Sequence, residues 1–424
     1  MATAITTEHF AYTFDRPHRG DDLLEFHPMS RDIKMSRIRS AIPPRLFVRN
    51  TVRGIYYVAR DVGMAVAAVR VALYIDPFFN CWAAGGPFDP VVIQLARWIA
   101  WVVYWWFQGL IFTGILIIGH ECGHGALSPN KALCDVIGYI THSILFAPYY
   151  SWKITHHHHH MYHGLMEQDE VWVPATRGHL GIPSQTDHDI HYAEYFTDTP
   201  IYALFALAGR NLIGLFAYFL FNGSGRNGLS RWTSHFNPLS VMFSKEQRKL
   251  VVLSDLGVVV MLVLLYRSYT SWGFVPVFKY YGIPWFLMNH WPFSQYNRTA
   301  TITYLHHTDP TLPHYRRAEW TFPRGAVATF DRDLLGWMGR FFLHDISHFH
   351  VIHHFFPKMP FYHGSEATRY LKEVVGDHYH HSEKSTLKAI WDNYFDCKFV
   401  EDTGDILFYR DIRGKAVLKP TAML

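Results

Sequence analysis

Charged residues are scarce in this chain. Asp, Glu, Lys and Arg make up 17% of its 424 residues, against 49% hydrophobic, which is too few to clothe the several soluble domains this length would allow. The net charge of +4 gives no basic field for a nucleic-acid partner. Cysteine is nearly missing too: Cys81, Cys122, Cys134 and Cys397 are scattered without a CxxC pair, which argues against a thiolate zinc site or a disulfide framework. No cleavable secretory signal is expected, because residues 1–30 are polar and carry His, Asp and Arg. The sequence also lacks an internal repeat of useful length and a low-complexity linker. What it has in excess is histidine, 29 residues, as many as glycine.

The apolar runs predict an all-α integral membrane protein. Trp98–Gly119 holds only Gln108 and Thr113 as clearly polar residues and can cross a hydrocarbon core of ~30 Å. Ile55–Ile75 is interrupted by Arg60, Asp61 and Arg70 and reads as a crossing with a charged cytosolic end. Val251–Tyr266 and a stretch beginning near Tyr281 form a second pair, giving about four transmembrane helices. Ile201–Phe221, broken by Arg210 and Asn211, and Ile137–Tyr150 are placed at the interface or partly inserted. Arg31, Lys34, Arg37, Arg39, Arg45, Arg49 and Arg53 face one acid, Asp32, ahead of the first crossing, whereas Asp76–Pro90 has no Lys or Arg. The positive-inside bias therefore puts the former in the cytosol and the latter across the membrane. The division that follows is a flexible segment over residues 1–30, a membrane domain over 31–410 and a tail over 411–424.

Three histidine clusters stand out: His120-Glu121-Cys122-Gly123-His124, the run His156–His160, and His350-Val351-Ile352-His353-His354. The first is HxxxH and the others read as HxxHH. Residues three and four apart share a helix face, so each cluster aims two or three imidazoles at one point. Neutral imidazole binds iron, copper, nickel and zinc alike, so the nitrogens do not name the metal. One zinc takes about four ligands; eight clustered histidines fit two metals with positions left open. With two crossings before the first cluster and two between the second and third, all three fall on the cytosolic side. This arrangement predicts a His-rich dinuclear cap where the helices leave the bilayer.

From roughly Arg31 to Tyr409 the sequence resembles the membrane fatty-acid desaturases, and within them the oleate Δ12 (ω-6) enzymes of plants and fungi. The likeness is carried by AIPPRLF at Ala41–Phe47, HECGH at His120–His124, SWKITH at Ser151–His156, DEVWVP at Asp169–Pro174, HHTDPTLPHY at His306–Tyr315 and HVIHHFFPKMPFY at His350–Tyr362. The resemblance implies a di-iron centre on His120 and His124; His156, His159 and His160; and His350, His353 and His354. His307 matches a ninth ligand that precedes the third box, with His306 its neighbour. It further implies dioxygen as co-substrate, a membrane-lipid acyl chain as substrate, and the endoplasmic reticulum membrane as location, with the active site and both termini cytosolic. No dinucleotide-binding glycine fingerprint and no HPGG haem motif are evident, so the implied electron donors are a separate cytochrome b5 and its NADH reductase. Metal-bound histidines have acceptors behind them; Glu121, Asp169, Glu170, Asp309 and Asp345 stand beside the boxes as candidates.

Three departures bear on the outcome. Gly119 stands where the Δ12 enzymes tend to have Ala, and resembles divergent members that make triple bonds (an acetylenase), hydroxyls or conjugated systems. Pro292–Arg298 reads as an insertion of polar residues into the last crossing, costly at membrane depth. The second box is unusually rich in histidine. A different class of reading is a membrane zinc protease, since His120–His124 matches HExxH with Glu121 as general base, but this leaves the other box histidines unexplained.

Overall fold

The computed structural model describes residues 23–184, 190–197, 199–230, 232–290 and 298–421. Strand β1 (Leu24–Phe26) leads into helix α1 (Met35–Ala41), which ends where Pro43 and Pro44 deny it backbone donors. Helix α2 (Thr51–Ala72) starts where the Asn50 side chain accepts from the Arg53 amide at 3.0 Å. A break at Leu73 and Tyr74 separates it from α3 (Ile75–Ala83). Helix α4 (Pro90–His124) opens with Pro at its first position, capped by Asp89, and stops at Gly125, whose φ of 70° suits glycine. At 1.5 Å per residue its 35 residues span roughly 50 Å, well beyond the ~30 Å of a bilayer core. The last turns, with His120 and His124, therefore project past the apolar zone.

Helices α5 (Lys131–Ser143) and α6 (Tyr149–Tyr162) fold back beside the end of α4. Helix α7 (Pro200–Phe221) bends by 49° between Arg210 and Leu212. Helix α8 (Arg248–Trp272) runs into α9 (Phe274–Val277), a π turn and α10 (Ile283–His290). Among the described residues, Thr51–Ala83, Pro90–His124 and Arg248–Trp272 are long and apolar enough to cross a membrane, and α7 would be a fourth if its two arms form one broken span. The stretch expected to cross from near Tyr281 is not among these: it is described as α10, eight residues long, with helix resuming in α11 (Arg298–His307). The supposed insertion up to residue 297 lies outside the described residues. Val252, Leu256, Val259, Val260 and Val263 of α8 are exposed, as a lipid-facing side requires.

Two of the charges that interrupt α2, Arg60 and Asp61, are turned inward, whereas Arg70 is exposed. Asp61 is buried, accepting from Arg60 Nε at 2.8 Å and facing His344 Nε2 at 2.6 Å, while Arg60 also donates to the Phe341 carbonyl. The pair thus ties the first crossing to the segment just before the third box, and its ionisable groups face protein.

The rest of the chain builds a cap over these helix ends. It holds β2 (His314–Tyr315), α12 (Phe322–Val327), β3 (Phe330–Arg332), α13 (Trp337–Phe342), α14 (His350–Phe355), α15 (Gly364–Val375), β4 (His380–Ser382), α16 (Thr386–Asp396), β5 (Ile406–Leu407) and β6 (Leu418–Pro420). The strands make three two-stranded sheets: β1–β6 and β3–β4 parallel, β2–β5 antiparallel. Ile38, Ile42 and Leu46 pack with Val351, Ile352, Phe355 and Leu371, so the N-terminal basic region supports the third box. The first and last described strands meet. Leu24–Phe26 pairs with Leu418–Pro420, Met29 is buried, and its carbonyl accepts from Arg324 Nε at 2.7 Å; residues 24–30 and 411–421 are thus packed onto the domain, while residues 1–22 lie outside the described ones.

Replacing Asp61 with Ala leaves Arg60 and His344 facing each other without their acid. Loss of one partner of a buried pair costs about 3–5 kcal/mol, so a large drop in melting temperature is expected in detergent, with Asp61→Asn in between. An unchanged melt would show that the pair does not tie α2 to the cap.

Candidate metal centre

Each box sits on a helix that ends at the cap: the first on the last turn of α4, the second on α6, the third on α14, while His307 ends α11. The i, i+3, i+4 spacing then puts His156, His159 and His160 on one face of α6, with His157 exposed and His158 half-buried. The rings gather at two adjoining points. At one, the ligand nitrogens of His120, His124, His156, His160 and His353 lie within 4.8 Å of one another; at the other, so do those of His307, His350 and His354. His159 bridges toward the second: its ligand nitrogen and those of His163 and His307 also lie within 4.8 Å of one another, and its ring centroid is 4.8 Å from His307 and 5.1 Å from His354. All nine histidines expected to bind metal are brought together. His306 packs on His350, ring centroids 4.4 Å apart, but turns its two nitrogens to the Ile302 and Ser347 carbonyls at 2.5 and 3.1 Å.

The nitrogens approach in a way that protein hydrogen bonds alone do not satisfy. Nε2 of His120 is 2.9 Å from that of His156 and 3.3 Å from that of His124; His156 and His160 are 3.2 Å apart, His350 and His354 3.1 Å. Burial, reinforced by neighbouring imidazoles, pushes His156, His160, His350, His353 and His354 well below the ordinary imidazole pKa. A neutral ring carries one hydrogen, so two nitrogens that meet can share at most one between them. Nε2 of His353 is buried with no hydrogen-bond partner. A cation bonded to each nitrogen at about 2.1 Å would set neighbouring ligands about 3 Å apart and satisfy these lone pairs. The donor set, nitrogen only and borderline in softness, fits iron among other transition metals.

The outward nitrogens are also held. His120 Nδ1 is 3.1 Å from Glu121 Oε1, and His159 Nδ1 is 2.8 Å from Asp169 Oδ1. Burial alone would raise the Asp169 pKa, yet His159, His163 and the Val171 amide bring it below the usual carboxylate value. The other three acids turn elsewhere: Glu170 meets His158, Asp309 meets Thr311 and Arg332, and Asp345 meets Arg340. Closeness in sequence to a box did not decide where these side chains point. Glu121 sits behind His120, buried, with no place on the cavity wall; this removes the general base on which the protease reading depends.

Two histidines outside the boxes join the site. His163, four residues past His159 and so legible from spacing, contacts His307; His142 of α5 lies against the first box. A Cβ at Gly119 would fall 2.1 Å from His142 Nδ1 and 2.5 Å from Thr141 Oγ1, so Gly119 forms a notch that His142 fills. A cavity of about 650 Å³ reaches His120, His142, His156, His159, His307 and His350. Leu116, Ile117, Leu207, Ile213 and Met288 give it apolar walls, with Arg210 and Lys398 also on its lining. Its size and lining suit an apolar chain laid against the histidines.

Comparison with known proteins bears on the same residues. The family described as Fatty acid desaturase matches residues 96–385. A Delta(12) fatty acid desaturase of Mortierella alpina is 38% identical, covering 96% of this chain and 97% of that protein. An oleate hydroxylase of Claviceps purpurea is 36% identical over 92% and 83% of the two chains. A Delta(12) acyl-lipid conjugase (11E,13E-forming) of Impatiens balsamina is 35% identical over 87% of each.

Gly119→Ala should overpack the α4–α5 contact at a cost of about 1–3 kcal/mol, and adding His142→Ala should restore the melting temperature; a neutral single variant would mean that the notch is not tight. Burial also lowers His235 to about 4 and His314 to about 3. The unfolded chain, with its ordinary value near about 6.5, takes up protons first. Stability of metal-free protein should therefore be level above about pH 6.5 and fall as the pH drops toward 4. Melting curves across that range check this, and a stability that rises on acidification would contradict it.

Proposed function

The chain belongs to the fatty acid desaturase family, a membrane oxidoreductase family acting on fatty-acyl chains, and from that premise we propose that it introduces the Δ12 (ω-6) double bond into an oleoyl chain carried on a membrane phospholipid. The observation that carries this reading is the convergence of three distant boxes on two points beside one apolar cavity. We assign one iron ion to His120, His124, His156, His160 and His353, and a second to His159, His307, His350 and His354. Bound iron with dioxygen supplies the oxidant for unactivated C–H bonds.

The protein's own part is positioning. The cavity walls exclude water and fix which methylenes lie against the histidines that line it. Glu121 and Asp169 hold His120 and His159 with their hydrogens outward, so that their other nitrogens face the metals. Arg210 and Lys398, on the lining of the same cavity, favour an acyl carrier with an anionic headgroup. Electrons are assigned to a separate cytochrome b5 and its NADH reductase, docked on the basic cytosolic face. We place the protein in the endoplasmic reticulum membrane with the cap in the cytosol, a reading supported by the run of basic residues over 31–53 ahead of α2.

The Gly119 notch favours a second reading. Because His142 occupies the place of a Cβ next to the first ligand and lines the cavity, the chain can sit differently against His120. The product would then be a hydroxyl, a triple bond or a conjugated system.

Expression in yeast followed by gas chromatography of fatty-acid methyl esters tests both. An octadecadienoate is expected; a hydroxy or acetylenic acid in its place favours the second reading, and no new acid at all defeats both. Purified protein should hold about two irons per chain, whereas one zinc and no iron would end the di-iron assignment. His353→Ala should reduce product to background while the protein stays in the membrane.

A further inference from the structure

His163 belongs to none of the three boxes, yet it is buried in the cap just after the last turn of α6. Its Nδ1 lies 2.7 Å from the Gly325 carbonyl oxygen. A carbonyl only accepts, so that nitrogen carries the hydrogen. The opposite nitrogen, Nε2, then offers a lone pair, and it lies 2.8 Å from His307 Nδ1. His307 must donate from Nδ1, which leaves its Nε2 bare. That bare nitrogen is 3.4 Å from His350 Nε2, within the group formed with His354. The hydrogens thus run in one direction, from His307 through His163 to the backbone.

The surroundings hold His163 in place. The His163 carbonyl accepts from Trp320 Nε1 at 3.0 Å. A Cβ at Gly325 would fall 2.2 Å from that carbonyl oxygen, so glycine is what lets the α12 backbone come close. The other neighbour of His307 Nδ1 is Thr329 Oγ1, at the longer distance of 3.4 Å, and this hydroxyl already donates to the His306 carbonyl.

We infer that His163 is a positioning residue of the metal centre, fixing His307 in the tautomer and orientation that turns its Nε2 toward the point shared with His350 and His354. It does for His307 what Asp169 does for His159 and Glu121 for His120, with a neutral acceptor in place of a carboxylate. The inference rests on the reading of His307 as a ligand.

Two amide variants separate this role from simple packing. In His163→Gln the amide reaches the place of Nε2 and can accept from His307; in His163→Asn it reaches only the place of Nδ1 and keeps the Gly325 contact. Full-length protein in detergent, stripped of metal, is titrated with cobalt(II), and uptake is followed by its visible absorption bands. Wild type and His163→Gln should bind two ions with affinities within about threefold of each other, while His163→Asn should lose about 10–100-fold at one of the two. The inference is overturned if His163→Asn binds both ions as wild type does, if the two variants lose affinity equally, or if wild type takes up no cobalt. If the His163 dependence is found but yeast expressing the wild type makes no new fatty acid, the inference stands and the desaturase reading falls.

Discussion

Imidazole nitrogens from four helices converge on adjoining points, and the protein holds them there. That constraint organises the whole molecule. It requires the ends of α4, α6, α11 and α14 to meet, which in turn requires a helix long enough to lift the first box clear of the apolar zone and a cap that presses the third box down on it. The polar pieces elsewhere serve that convergence. The Asp61–His344 pair anchors the approach to the third box, and Asp331 accepts from the Val351 amide at 2.7 Å at the start of α14. The energy to keep the rings together comes from the apolar packing behind them, where Ile38, Leu46, Val351, Ile352 and Phe355 form one continuous cluster.

Much of this was legible in the sequence because it depends on period alone. Spacing of three and four residues brings histidines to one helix face, and an apolar run of the length of Trp98–Gly119 is a helix with lipid or protein on every side. What escaped the sequence depends on side-chain direction and on contacts between distant segments. Glu170, Asp309 and Asp345 are as near to the boxes in sequence as Asp169, but only Asp169 and Glu121 turn toward a box ligand. Arg60 and Asp61 read as a weak point in the first crossing because their partner, His344, comes from the other end of the chain. His163 continues the face of α6 by one more turn and lay just past the three-box pattern.

The Gly119–His142 contact joins the two sides of the site. One face of His142 borders the cavity and packs on Trp152, whose ring centroid is 4.8 Å away; the other fills the space of an absent methyl group beside His120. A change of one carbon at position 119 is therefore felt in the cavity wall through a ring. This gives a physical route by which the residue at position 119 can act on the cavity while the nine box histidines stay unchanged.

The pairing of Leu24–Phe26 with Leu418–Pro420 has a temporal meaning. A ribosome releases the first strand hundreds of residues before its partner exists, and a contact of that separation forms late. Until Leu418–Pro420 is made, Leu24–Phe26 has no strand to pair with, although Met29 beside it can already pack against the cluster over the third box. That edge is therefore among the last contacts of the described residues to be made.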